Sequence, residues 1–342
     1  LGTAIMGLYA NYPVALAPGM GLNAFFAYTV VQGMGHSWQT ALGVVFVSGV
    51  LFVILSVLPV RELIINAIPT TMKLAISAGI GLFIAMIGLR NADIVVGDPA
   101  TLVTLGNLLS PAPLLALGGF ALIIALDYRR VPGAIIIGIL VTTVAGLPLG
   151  LSEWQGIVSL PPDPTPTLFQ MDLSGALQLG LLAVVFTFLF IDLFDTAGTL
   201  VGVAHRGGLL DERGRLPRLG KALLADSTAS VAGAVLGTST TTSYVESVAG
   251  IKVGGRTGLT AVTVALLFLL CLFLSPLART VAAYAAAPAL LFIGCLMARG
   301  LAEINWEDAT EYAPAVVTAL AMPLTFSITD GIGLGLIVFA AA

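Results

Sequence analysis

The sequence predicts an all-α polytopic membrane protein, and three observations carry that expectation. Of 342 residues, 58% are hydrophobic and 9% charged, with a mean hydropathy of +1.05. A water-soluble chain carries roughly 25% charged residues, enough to cover its surface, and this one does not. Apolar runs separated by polar or Gly/Pro breaks recur from end to end. Basic residues also gather on alternate connections between those runs, the charge asymmetry of a multi-pass protein.

In order, the predicted segments are 1–10, 18–33, 39–58, 72–90, 112–127, 131–149, 176–203, 222–237, 243–254, 257–276, 280–300, 309–328 and 330–342. The first, LGTAIMGLYA, holds about half of the ~20 residues a spanning helix needs, and the last stops in mid-helix at GIGLGLIVFAAA. With no initiator Met, at least one upstream helix is expected outside this sequence. Segments 18–33 and 243–254 are interrupted; the others are continuous apolar runs. If connections alternate sides, one side collects Arg61, Lys73, Arg129, Arg130, the stretch HRGGLLDERGRLPRLGK (205–221), Lys252, Arg256 and Arg299, twelve of the fourteen basic residues. That side is expected in the cytoplasm. The Pro-rich SLPPDPTPTLFQMD (159–172) then falls outside, within a loop at 151–175. A net charge of −4 argues against nucleic-acid binding, and Cys271 and Cys295, in separate apolar segments, suggest neither a disulfide nor a metal site. No cofactor is called for.

Two stretches break the helical pattern at membrane depth. LAPGMGLNAFFAY (16–28) places Pro18, Gly19 and Gly21 before Asn23, and GTSTTTSYVESVAGIKVGG (237–255) runs through Ser and Thr to Glu246. Irregular backbone there must face protein or water, because lipid cannot satisfy its N–H and C=O groups. Ser243-x-x-Glu246 reads as a capping box that starts a half-helix. The two stretches lie seven segments apart, and an odd offset reverses direction. This predicts inverted repeats, 1–150 and 176–342, of the kind transporters use to bind substrate at mid-membrane. Tight helix packing by small residues is the bland alternative.

FLFIDLFDTAGTL (188–200) then sets Asp192 and Asp195 in one of the most apolar runs, with no Lys or Arg within ten residues of Asp192 on either side. A carboxylate at a helix centre costs roughly 2.5–3.5 kcal/mol and marks a functional interior position. Spaced three apart, the two acids share neighbouring parts of one helical face. Glu246 is the third embedded acid; Asp226, near the start of its segment, is read as interfacial. Burial without a countercharge favours the protonated form, so at least one of these acids suits a proton carrier. A structural role, as a protonated Asp bonded to a neighbouring helix, is the alternative. Neutral acids, the Asn23 amide, half-helix N–H groups and Phe25, Phe26, Phe194 and Tyr244 together match a flat, uncharged heterocycle with polar edges.

NYPVALAPGMGLNAFFAYTVV, FIDLFDTAGTLVGVA and TSTTTSYVESVAGIKVGGRTGLTAV resemble the AzgA-like purine permeases, a branch of the nucleobase–ascorbate transporter superfamily. The resemblance implies fourteen segments in two inverted repeats of seven, built as a core and a gate and often dimeric. The thirteen segments here then correspond to the second through the fourteenth. It implies import of hypoxanthine, guanine or adenine, with Asn23, Asp192, Asp195 and Glu246 at the critical polar positions. Related uracil and xanthine carriers contact the base through an acid followed three residues later by Gly. Asp195-Thr-Ala-Gly198 has that spacing, so Asp195 is the expected base contact. Asp192 is then the tuning or proton-carrying partner, the two roles being exchangeable, and Glu246 meets the other purine edge. Thr199 stands where some uracil carriers have a His, so coupling through that His does not transfer. Purine and proton are the expected partners within the bilayer, with sodium the other ion the pattern admits. The competing readings are a sulfate-type anion carrier of the same fold and an intramembrane aspartyl protease. The protease needs its acids on two helices, whereas Asp192 and Asp195 share one.

Overall fold

A computed structural model describes residues 1–58, 69–209, 211, 216–244, 246–252 and 254–342. Among these, six helices are long and apolar enough to cross a membrane: Trp38–Val57, Thr71–Asn91, Pro111–Tyr128, Leu219–Leu236, Gly258–Thr280 and Ala283–Glu303. The chain forms two compact units. The first takes Leu1–Lys73 and Asp163–Leu270, the second Leu74–Pro162 and Cys271–Ala342. Each unit therefore draws on both halves of the sequence.

The first unit opens with α1 (Gly2–Ile5), which continues as π-helix through Ala10, then β1 (Leu16–Pro18). Helix α2 (Met20–Ala24), also extended by π-helix to Gly33, and α3 (Trp38–Val57) follow. From the second half of the chain come the short α7 (Leu173–Ala176), α8 (Leu179–Gly207), α9 (Leu219–Leu236), β4 (Thr241–Ser243), α10 (Ser247–Lys252) and α11 (Gly258–Cys271). In the second unit, α4 (Thr70–Asn91) leads to a hairpin of β2 (Val95–Asp98) and β3 (Leu102–Leu105). Helices α5 (Pro111–Tyr128) and α6 (Ala134–Gly146), then α12 (Ser275–Thr280), α13 (Ala283–Ala298), α14 (Ala309–Thr325) and α15 (Ile328–Ala341) complete it. Small residues let α4 and α13 touch: a Cβ on Gly81 would lie 2.5 Å from Met297 and 3.0 Å from the Gly294 carbonyl.

Each interrupted segment is entered through a short strand. Leu16, Ala17 and Pro18 pair antiparallel with Ser243, Thr242 and Thr241. Gly19 N–H donating to Thr240 O (3.0 Å) and Tyr244 N–H to Ala15 O (2.9 Å) extend the ladder. Each broken segment thus satisfies the other's backbone, which is how non-helical chain persists at this depth. One hydroxyl clips each strand to the preceding helix. Thr3 donates to Leu16 O (2.6 Å) and accepts from Leu16 N–H (2.9 Å). Ser230 donates to Thr241 O (2.8 Å) and accepts from Thr241 N–H (3.2 Å). The same device at corresponding places, one in each half, is what an inverted repeat would leave.

The all-α fold holds, with two short strand pairs among the described residues that hydropathy does not reveal. Two expectations change. The Ser243–Glu246 capping box is absent, because Ser243 lies in β4, gives its hydroxyl to Asp226 (3.2 Å), and α10 starts only at Ser247. Asp226 is not interfacial: it sits inside α9, fully buried.

Candidate functional site

The three acids of α8 and α9 meet β4 inside the first unit. Helix α8 is long and apolar, which buries whatever face it turns inward. Asp192 is 1% exposed, Asp226 0%, and Asp195 only partly buried. Hydroxyls, not cations, tie them together. Thr196 donates to Asp226 Oδ2 (2.8 Å) and lies 3.1 Å from the Thr242 hydroxyl. Thr242 donates to Asp195 Oδ2 (3.2 Å), and Ser230 reaches Asp192 Oδ2 at 3.3 Å. Asp192 Oδ1 and Thr240 Oγ1 are buried with no hydrogen-bond partner among the described residues. The charges acting on these acids are one another's and that of Glu246, with no cation among the described residues. Isolated buried charge is costly, and this arrangement suits neutral or proton-sharing carboxyls.

Asn23, on α2 one turn past Gly19, is exposed, and its Oδ1 accepts from the Ser239 hydroxyl. Tyr244 follows β4 directly and donates to Pro18 O at 2.6 Å, bracing the strand pair from its end. Glu246 precedes α10 and is exposed, which differs from the embedded position the sequence suggested. Phe25 is 2% exposed, its ring edge-on to Phe188 at 5.0 Å, so it packs in the interior of the unit. The side chain of Phe194 lies outside the described residues. Asn23, Asp192, Asp195, Tyr244 and Glu246 thus all belong to one unit, on or beside the two strand-broken segments.

Sequence reading singled out none of Thr196, Ser230, Ser239 and Thr242. Asp226 it noted and set aside. The signal for Asp226 was the rule applied to Asp192: an acid inside an apolar segment, here in the polar run ADSTAS (225–230).

Helices broken at matching places in two inverted halves are how many secondary transporters build a mid-membrane site. The model of the Permease family (Xan_ur_permease) matches residues 1–334, and the chain belongs to that family. It is 51% identical to the adenine permease AdeP of Escherichia coli (strain K12), over 98% of this chain and 76% of that protein. It is 50% identical to the guanine/hypoxanthine permease PbuG of Bacillus subtilis (strain 168), over 99% of this chain and 77% of that one. Among solved structures, the transmembrane domain of a cyanobacterium bicarbonate transporter, BicA, matches at a TM-score of 0.74 and 17% identity, over 98% of this chain and 88% of that one. SLC26A9 matches at 0.63 and 10%, over 98% and 59%. This likeness shows the fold: a seven-plus-seven inverted-repeat transporter with core and gate. The chain is a multi-pass membrane transporter.

Proposed function

We propose that this chain imports purine nucleobases, hypoxanthine, guanine or adenine, by proton symport with alternating access. The observation that carries the reading is the acid cluster at the strand pair, bonded through hydroxyls and without a cation among the described residues. Such a surface suits an uncharged ring with donors and acceptors along its edges. The names of the relatives, adenine and guanine/hypoxanthine permeases, support the substrate class.

In the scheme, Asp195 contacts the base, Glu246 and Asn23 meet its other edge, and Tyr244 and Phe194 flank the ring. Phe25 supports the site from behind through Phe188. Asp192, Asp195 and Glu246 are the proton-coupling acids. Residues 1–150 and 176–342 are the inverted repeats, joined by an outer loop at 151–175, and the matched hydroxyl clips support that division. The unit holding the strand pair serves as the core. The basic loops face the cytoplasm of a bacterial inner membrane, and a homodimer in the bilayer is the proposed assembly. One proton crossing ~100 mV contributes about 2.3 kcal/mol, enough for nearly fiftyfold accumulation.

Hypoxanthine uptake is to be measured with an uncoupler and in Asp195→Asn and Glu246→Gln. The scheme expects a fall in each case; undiminished uptake in all three rejects it. A sulfate-type anion carrier is the second reading, since the fold neighbours include a bicarbonate transporter. An anion normally requires basic residues, and competition of purine uptake by excess sulfate would favour it.

A further inference from the structure

The contacts between Asp195 and Asp226 are one proton short as drawn. Asp226 Oδ2, Thr196 Oγ1, Thr242 Oγ1 and Asp195 Oδ2 form an unbroken line with separations of 2.8, 3.1 and 3.2 Å. Thr196 and Asp226 are fully buried, and Thr242 nearly so. Each threonine has a single hydroxyl proton. If both acids are ionised, each threonine gives that proton to its own carboxylate. The 3.1 Å contact between the two hydroxyl oxygens is then left with none, lone pair against lone pair in a buried place. A third proton completes the line, and it must sit on one of the two carboxyls.

We propose that Asp195, Thr242, Thr196 and Asp226 form a proton relay, in which the acid facing the base exchanges one proton with a store on Asp226. The proposal rests on the symport reading above. With the proton on Asp195, that carboxyl donates to Thr242, Thr242 to Thr196 and Thr196 to Asp226. Transfer breaks the O–H bond at Asp195 and forms one at Thr242. Thr242 passes its own proton to Thr196, and Thr196 passes its own to Asp226 Oδ2. Both hydroxyls begin and end neutral, and the hydrogen bonds reverse direction as a set. Asp226 can hold the proton because it is fully buried and its charged neighbours among the described residues are other acids, while Ser243, donating to its other oxygen at 3.2 Å, steadies the ionised form once the proton leaves. Among the described residues, Asp192, Glu246 and Tyr244 are the titratable groups facing the relay, and α3, packed along α9, contributes none. The arrangement lets the acid nearest the ligand change protonation without moving a charge through water.

Thr196→Val keeps the shape and removes the hydroxyl. Purified protein in liposomes is assayed for exchange of labelled hypoxanthine between equal internal and external pools, and for proton uptake triggered by hypoxanthine. The relay predicts that purine-triggered proton uptake falls by about a hundredfold more than exchange does in the same variant, with recovery in Thr196→Ser. Thr242→Val is a second break in the same line, used if Thr196→Val does not fold as judged by gel filtration. Unchanged proton uptake in a folded hydroxyl-free variant overturns the relay. So does a loss that Thr196→Ser fails to restore, which points to packing. Wild-type protein that exchanges purine without moving protons overturns the symport reading instead, and so separates the two failures.

Discussion

In the proposed scheme two demands meet at Asp195: contact with an uncharged base and a part in proton traffic. Its position answers both. It is partly buried, so one side is open to a ligand, and its Oδ2 is held by Thr242. Asp192, three residues earlier, is 1% exposed, and its Oδ1 has no hydrogen-bond partner among the described residues. Asp195→Asn keeps the shape but cannot exchange a proton. We expect a KM for hypoxanthine raised by roughly tenfold or more, equivalent to about 1.4 kcal/mol of lost contact, and loss of accumulation; uptake kinetics check both. The burial of Asp192 was legible in the sequence because an acid in an apolar segment stands out against its neighbours, whereas Glu246, read as embedded, is exposed. The threonines were not legible. A Thr in a membrane helix ordinarily returns its hydroxyl to the carbonyl four residues back, as Thr142, Thr143 and Thr187 do here. Nothing in the sequence separates those from Thr196, whose hydroxyl instead reaches another helix.

The strand pair positions the site, and Gly19, just after β1, packs tightly against it. A Cβ there would lie 2.6 Å from Thr242 Cγ2, and Thr242 cannot turn aside without giving up Asp195 or Thr196. Gly19→Ala is therefore expected to abolish accumulation while the protein still inserts, measured as uptake against the amount of protein in the membrane. Outside the spans, Asp172 caps α7 through Gly175 N–H (3.0 Å) and accepts from Ser174 (2.7 Å) and from Thr40 on α3 (3.2 Å). The Gly175 N–H first, then the Ser174 hydroxyl, hold its carboxyl below the usual range. The folded state therefore favours the ionised form. That contribution is present above the unfolded value near ~3.9 and is lost as pH falls through the lower folded value. Thermal unfolding of wild type and Asp172→Ala should differ at neutral pH and converge at strongly acid pH. Helix ends were legible to within a few residues: the run read as 39–58 forms Trp38–Val57, and 72–90 forms Thr70–Asn91. Strands β1 and β4 were not, because Pro18-Gly19 and the Ser/Thr run report only that helix stops. What replaces it depends on a partner more than two hundred residues away.

For the whole molecule, the division into two units each drawn from both halves does not appear in sequence order. Hydropathy reports spans one at a time, and contacts between distant spans leave no periodic trace. The inverted relation could still be read from the odd offset between the two broken segments, and the paired clips at Thr3 and Ser230 agree with it. On the symport account, the acids load a purine and a proton together and release them on the basic side. The most direct measurement places purified protein in liposomes and follows labelled hypoxanthine under an imposed gradient of protons or of sodium. The account predicts accumulation when the outside is acid, with protons entering alongside the purine, and none from sodium at uniform pH. Accumulation driven by sodium alone, or purine entry that carries no proton, would contradict it.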